Sequence, residues 1–417
     1  MTSAAGQIDF LDPDVSGKPY EAYAVLRREA PVYRDPRTGF VLLTRYDDIR
    51  RVLLDTETFS NQRWQADAKK QVFPARQQRM RKLYEEKGWL PAPSLAGYDD
   101  PRHREIREVF TKAFRAGRIK LLDPFVAKTA QELVDAFAPA GACELVRALA
   151  VPLPLIVIGQ QMGAPKEDIW RIKAWTDAWV QRLGMMLTEE QEASSVEMEI
   201  EAQHYFQRIY ERLRAQPDDT VLSDLINTPI GDRPLNDNEL HAHMMADTFV
   251  GGSETTSNAL SSGVWLLCQF PEQYAKLNAE PERYLRNFIE EVLRLESPVQ
   301  GLFRVASKDV ELHGVMIPKG TTLGIRYAAA NRDPAQFENP DALDLERKNS
   351  ATHLAFGTGA HHCLGAPLAR RELYWGFKSL LERVDEIRLA PGKNDFAIAP
   401  NYCLRALKEL HIEFTPR

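Results

Sequence analysis

The stretch from Asp237 to Phe270 constrains the fold more than any other part of the chain. Asn236 precedes it and Glu239 follows three residues on, the residue types of an N-cap with a capping box. Apolar residues then recur at 240, 244, 245, 248 and 249, and again at 260, 264 and 267, which is helical spacing. At 1.5 Å per residue such a helix would run about 50 Å, the width of a whole domain. Apolar on several sides, it is expected to pass through the centre of the molecule. Yet its middle reads Gly251-Gly252-Ser253-Glu254-Thr255-Thr256. Two adjacent glycines cost roughly 1 kcal/mol each relative to alanine inside a helix. Small residues there either let two helices cross closely or open the backbone to a flat ligand. Thr255 can divert a carbonyl hydrogen bond and widen such a groove.

Around this helix the pattern predicts a mainly α chain with small β-sheets, an α+β fold. Residues 103 to 230 read as helical, and a further helix is expected from about 364 to 383. Residues 18 to 57 read helix, strand, turn, strand, helix, with "DPRTG" as the hairpin turn. Residues 302 to 327 are β-rich, with Gly314 and "PKG" as turns. No repeat, low-complexity linker or domain boundary is visible. The expectation is a single domain over 1–417, β-rich at about 20–60 and helical at about 100–300 and 350–385. Residues 64 to 99 are a long basic, then Pro/Trp-rich excursion containing a helix, the pattern of a lid.

A net charge of -6 gives no reason to expect nucleic acid as a partner. Cys143, Cys268, Cys363 and Cys403 lie far apart with no CxxC pair, which argues against a disulfide framework, a zinc ribbon or an iron–sulfur cluster. The first residues carry no basic n-region or apolar h-region, so no signal peptide is expected. The apolar patch at 148–159 is proline-broken and too short to span a bilayer. A cytoplasmic protein without a membrane anchor is the expectation.

Cys363 is the most unusual cysteine. It stands in "FGTGAHHCLG", residues 356–365, just before the helix that carries Pro367 in its first turn. A helix N-terminus stabilises negative charge and lowers a thiol pKa. Gly357 and Gly359 let the preceding loop turn tightly, and Gly365 would let the backbone approach the sulfur. Two readings of Cys363 alone stand level: a thiolate in a backbone cradle, open on one side, or a buried structural cysteine beside a glycine-rich turn. Zinc on His361, His362 and Cys363 is disfavoured, because neighbouring residues do not readily all face one ion.

The stretch resembles the haem-binding signature of the cytochrome P-450 family, Phe-x-x-Gly-x-(Arg/His)-x-Cys-x-Gly. Phe356, Gly359, His361, Cys363 and Gly365 fill its slots, and Ala369-Arg370 continue the pattern. Three more matches follow the family's order: "HREIR" at 103–107, "GGSETT" at 251–256 and "EVLR" at 291–294. "IPKG" at 317–320 and "ANRDPAQF" at 330–337 fit as well, so the resemblance covers essentially the whole chain. His361 and Gly251 stand where many members have Arg and Ala.

The resemblance implies haem b, with Cys363 as the axial iron ligand and O2 as co-substrate. It implies that His103, Arg107, Arg304, His353 and His361 hold the haem propionates, and that Phe356, Gly357, Gly365 and Gly251 line the haem. Thr255 and Glu254 become the acid–alcohol pair that handles protons at bound O2. Glu291, Arg294 and Arg347 become a structural network under the cysteine loop. The implied activity is that of a monooxygenase inserting one atom of O2 into a C–H bond. Little chain follows Cys363, so the expected electron donor is a separate ferredoxin, fed by NAD(P)H through a reductase. It would dock near Lys112, Arg115, Arg118 and Arg371. The expected pocket is lined by Trp89, Leu90, Leu95, Met244, Asp247, Thr248, Gly251, Val299, Leu302, Phe303, Tyr402 and Leu404. These are mostly apolar, suiting a small or medium hydrophobe, while the basic run from Lys69 to Lys82 would attract a carboxylate. A monomer is expected. Two rival readings are a haem protein that binds a ligand or gas without turnover, and a member that couples or closes rings in biosynthesis.

Overall fold

The computed structural model describes residues 6, 8–62, 72–114, 116–218 and 220–417. Arg115 and Lys69, named above, lie outside them. The long helix forms as one continuous element in three parts: α-helix Asp237–Ala242, π-helix His243–Glu254 and α-helix Thr255–Gln269. Its capping box is present, with Asn236 and Glu239 each accepting the other's backbone N–H. In the π segment the Thr248 hydroxyl donates to the His243 carbonyl, five residues back, at 3.0 Å. π-helical turns open the backbone and recur at functional sites. Here the glycine pair lies in the last turn of the segment, which ends at Glu254.

Three helices fix the position of the Cys363 loop. The cysteine helix, Ala366–Arg383, lies along the second half of the central helix. Gly263 gives room there: a Cβ would sit 2.3 Å from Phe377 Cζ. Gly376 meets Leu260 in the same way, and the Glu372 carboxylate lies toward Thr256. The contact partners fall together in sequence, 377 with 263, 376 with 260 and 372 with 256. The two helices therefore run in the same direction, and the cysteine end points toward the Gly251–Thr255 segment. The third helix, Pro281–Glu296, packs on both through Phe288, Val292 and Leu293. These residues share one core cluster with Leu260, Val264, Leu373 and Leu380.

The β structure is peripheral. Numbered in chain order, a five-stranded sheet has β1 (Val32–Arg34), β2 (Val41–Leu43), β8 (Thr322–Ile325), β5 (Leu302–Ala306) and β3 (Phe59–Ser60) side by side in that order, while β10 (His411–Pro416) pairs with β4 (Ala142–Glu144) and β9 (Val384–Leu389), and β6 (Val310–Leu312) with β7 (Val315–Ile317). Only the β2–β8 pair is parallel, Leu42 opposite Gly324. The "DPRTG" turn joins β1 to β2, the Asp35 carboxylate accepting from Arg37 N at 2.8 Å. The excursion contains a helix, Pro74–Lys87, lying along helix Glu189–Ala215. No helix among the described residues is long and apolar enough to cross a membrane.

The basic character of the excursion is absorbed by the neighbouring helix. Arg76 pairs with Glu192 at 3.2 Å, Lys87 with Glu197 at 2.8 Å and Arg79 with Glu189. Arg182, Glu199 and Tyr84 form a buried cluster beneath them. For the described part of the run expected to attract a carboxylate substrate, that expectation is corrected: Arg76, Arg79, Arg81 and Lys82 already have carboxylates, from Glu192, Glu189, Glu85 and Glu86.

Candidate functional site

The loop before the cysteine is folded back on itself. Gly357 and Gly359 adopt φ +64 and +74, the left-handed region that glycine enters without strain. Gly359 leads into a short 3-10 turn to His361, and Cys363 N donates to Phe356 O at 2.8 Å, closing the loop. A Cβ at Gly359 would lie 3.1 Å from Leu53 O, so the loop also sits tightly on a neighbouring helix. Gly365 behaves differently from expectation. Its φ is -78 and a Cβ there would lie 3.9 Å from the Cys363 sulfur, an ordinary contact. The protein alone does not demand glycine at that position.

The sulfur sits at the helix N-terminus as expected, with Gly365 and Ala366 N–H groups directed at it. The expected lowering of the thiol pKa does not follow. Burial pushes it up, and the two N–H groups with Arg107 and Arg370 only partly offset that. The thiol thus stays neutral by itself, and its cradle favours the thiolate only once a cation takes the proton's place.

Beside the sulfur, basic side chains converge, and among the described residues the one carboxylate paired with them is Asp100, 3.5 Å from His103 Nδ1. The His103 and His361 rings lie 3.9 Å apart, centroid to centroid. Burial, then His103, Arg304 and Arg107, lower the His361 pKa to about 2. Arg304 is 4% exposed and donates to the neighbouring Phe303 carbonyl at 2.8 Å, while its Nε has no partner. His103 is 3% exposed, with Nε2 likewise unpartnered. Arg107 donates to His362 O at 2.6 Å. Among the described residues no carboxylate pairs with His361, Arg304 or Arg107. Orphaned buried donors among closely set basic groups that depress one another's charge are the signature of a missing anion. The two propionates of a haem fit this cage.

His353 is not in it. Its Nε2 meets Glu290 at 3.2 Å and its Nδ1 accepts from Ala355 N at 3.2 Å. With its side chain 1% exposed and both nitrogens engaged, it has nothing to offer a propionate. That expectation is corrected.

The Glu291 network joins at full burial. Arg294 grips Glu291 bidentately at 2.6 and 2.9 Å, both side chains 0% exposed. Arg347 approaches the same carboxylate at 3.0 Å. The two guanidiniums also donate to carbonyls of Asn331, Glu338, Pro340 and Ala342. Asn331 accepts from Leu354 N at 2.6 Å, which carries the network to the loop two residues before Phe356.

On the central helix the open side consists of Ala246, Asp247, Gly251 and Thr255. Gly251 is exposed, although the helix runs through the core. Gly252 faces the other way, where a Cβ would press on Ile158 at 3.2 Å. The glycine pair therefore serves both purposes weighed from the sequence: Gly252 permits close helix packing and Gly251 opens the backbone. Thr255 Oγ1 donates to Gly251 O at 3.3 Å, the carbonyl diversion expected of it. Glu254 turns from this face into a buried pocket, where Thr176 donates to it at 2.7 Å and Lys173 lies 3.3 Å away. Burial raises its pKa, and Lys173 opposes the rise. Lys173 also pairs with the part-exposed Asp177, so the acid is linked to the surface through two charged groups.

The expected pocket residues divide. Strand alternation puts Leu302 and Arg304 on one face of β5 and Phe303 on the other. Phe303 stacks on Tyr402 at 5.8 Å and joins Phe40 and Tyr23 in a closed core, Leu404 included. Phe303 and Tyr402 are therefore core residues and not pocket lining. Val299 bridges to Leu404 and, with Leu302, is part-exposed. Trp89 lies between His204 and His241, and Leu90 packs on Val196 and Ile200, so both anchor the lid to its supporting helix. Leu95 faces the central helix, its N–H donating to Asp247 at 2.8 Å. Met244 and Thr248 are buried within the helix packing, at 2% exposure each. Lys173, Thr176, Asn331, Glu290 and Arg370 were missed from the sequence. Only Arg370, in the run after the cysteine, and Asn331, in "ANRDPAQF", carried a signal.

A helical fold with a cysteine presented beside an anion cage and an opened central helix defines the haem-thiolate class. The chain matches the family model Cytochrome P450 over residues 180–388. It is 34% identical over 410 residues to the cytochrome P450 monooxygenase PikC of Streptomyces venezuelae, covering 97% of this chain and 93% of that one. It is 30% identical over 418 residues to a steroid C26-monooxygenase of Mycobacterium tuberculosis, covering 100% and 99%. The solved structure of cytochrome P450 CREJ in complex with (4-ethylphenyl) dihydrogen phosphate superposes with a TM-score of 0.90 at 27% identity, covering 99% of this chain and 100% of that one. The chain belongs to the cytochrome P450 family: it is an oxygen-incorporating oxidoreductase whose cofactor is haem b and whose co-substrate is O2.

Proposed function

We propose that this protein hydroxylates a C–H bond of a small or medium hydrophobic substrate, taking electrons from NAD(P)H through a ferredoxin reductase and a ferredoxin. A thiolate-bound haem supplies the O–O cleavage chemistry. The chain's own residues do the rest, within what we read as one haem-binding domain of a cytoplasmic monomer. Cys363 presents its sulfur as the axial ligand. His103, Arg107, Arg304 and His361 neutralise the propionates. Leu95, Val299 and Leu302 exclude water and bind the substrate's apolar surface. Thr255 and Gly251 hold a polar notch open on the central helix, and Glu254 brings protons to it from Lys173 and Asp177.

The observation that carries this reading is the buried Glu254. A binding protein or sensor has no need of a desolvated acid wired to the surface beside an opened helix, whereas turnover of O2 consumes protons. The relatives named as monooxygenases support the same choice. For the electron donor, Lys112 is exposed on helix Arg102–Ala113, the helix whose Arg107 donates to the cysteine loop. Arg371 does not serve, because it is held bidentately by Asp123 at 2.5 and 2.7 Å. Arg118 pairs with Asp224 at 3.4 Å.

The test is turnover with NADH, ferredoxin and reductase after optical titration of a library of hydrophobes. Thr255→Ala is expected to consume NADH while releasing hydrogen peroxide, with product per NADH falling at least several-fold. Unchanged coupling in that variant, or a parent that never forms product from any compound it binds, contradicts the reading.

A further inference from the structure

A second charged cluster flanks the cysteine loop, separate from the Glu291 network. Glu290, on helix Pro281–Glu296, receives Arg370 bidentately, Nε at 2.6 Å and Nη2 at 2.8 Å, and His353 Nε2 at 3.2 Å. The three residues come from three segments: the Glu290 helix, the cysteine helix and the start of the cysteine loop. Burial raises the Glu290 pKa, but the hydrogen bonds from Arg370 and His353 outweigh it and hold it at about 2. The carboxylate is therefore charged throughout the working pH range. Arg370 lies over the Phe356 ring at 4.6 Å, and Phe356 O accepts the Cys363 N–H. The guanidinium is thus fixed on three sides by an anion, a ring and its own helix. Through that ring it is held against the segment that accepts the Cys363 N–H, and its charge, after that of Arg107, favours the Cys363 thiolate.

We propose that Glu290 and Arg370 act as a positioning pair that sets the charge beside the Cys363 sulfur and so tunes the reduction potential of the haem iron. The proposal rests on the haem-thiolate reading and extends it. A fixed cation near the sulfur withdraws electron density from the thiolate and favours the reduced iron; the carboxylate behind it moderates that pull. His353 completes the pair by orienting Glu290.

The two charges act with opposite signs, which separates tuning from mere support. In holoprotein, Arg370→Met removes the cation and is expected to make the iron about tenfold harder to reduce, a shift of about 59 mV to more negative potential for one electron. Glu290→Gln removes the moderating anion and is expected to shift the potential the other way. Arg370→Lys keeps the charge and should remain close to the parent. The potentials are read by dye-equilibrated titration, with haem content and the rate of hemin loss measured alongside. Opposite shifts at parental haem content support the pair. Shifts of one sign in both variants, or no shift in haem-loaded Arg370→Met, overturn it. If Arg370→Met fails to fold, the Glu290→Gln and Arg370→Lys potentials decide alone: a positive shift in the first with none in the second supports the pair, and any other result overturns it. A parent that takes up no hemin would sink the haem-thiolate reading itself, a result distinct from any of these.

Discussion

Glu291→Ala is expected to yield a protein that barely folds and takes up no haem. The carboxylate is fully buried between Arg294 and Arg347, and it also accepts Asp344 N at 3.1 Å. Removing it leaves two guanidiniums in the core without an anion. Breaking a buried pair from one side costs about 3–5 kcal/mol, against a total stability of about 5–15 kcal/mol. The damage also spreads, because Arg294 holds the Asn331 carbonyl and Asn331 holds the cysteine loop at Leu354. Thermal melts and hemin uptake check this. A variant that melts within a degree or two of the parent and binds hemin normally would remove the network from the account.

The second large effect is kinetic. Glu254→Gln keeps the shape and the hydrogen bond from Thr176 but can no longer release and regain a proton. A positioned acid contributes about 10²- to 10⁴-fold to steps limited by proton transfer. The expected result is a fall of about 10²-fold in kcat, with substrate affinity nearly unchanged and a larger solvent isotope effect. Stability should change little, because Lys173 keeps Asp177 as a partner. Unaltered kcat would mean that protons arrive by a route that bypasses Glu254.

What was legible in the sequence follows from how local the causes are. The cysteine loop is contiguous, so its turns, its helix start and its glycines could all be read. The central helix was read as a helix through its caps and apolar spacing. Its π segment was not legible, because apolar positions at 240, 244, 245, 248 and 249 fit an α-helical face equally well. The thiol pKa was misjudged because the helix N-terminus is a local feature, whereas the burial that outweighs it comes from the whole fold. His353 was assigned to the cage by position alone; its true partner, Glu290, stands far away in sequence, next to the residue that had drawn attention. Phe303 and Tyr402 read as lining from the sequence because they are aromatic and near the right segments. The strand's two-residue period already put Phe303 on the face opposite Arg304. Lys173 and Thr176 lie on an ordinary amphipathic helix, and nothing in their surroundings marks them as partners of a residue 78 positions on.

The most direct test is the absorption spectrum of the reduced, carbon monoxide-bound protein, taken for the parent and for Cys363→Ser. Sulfur ligation predicts a far-red-shifted Soret band in the parent that disappears in the variant together with turnover. A parent without that band, or a variant that keeps both the band and full activity, would contradict the assignment of Cys363 as the iron ligand.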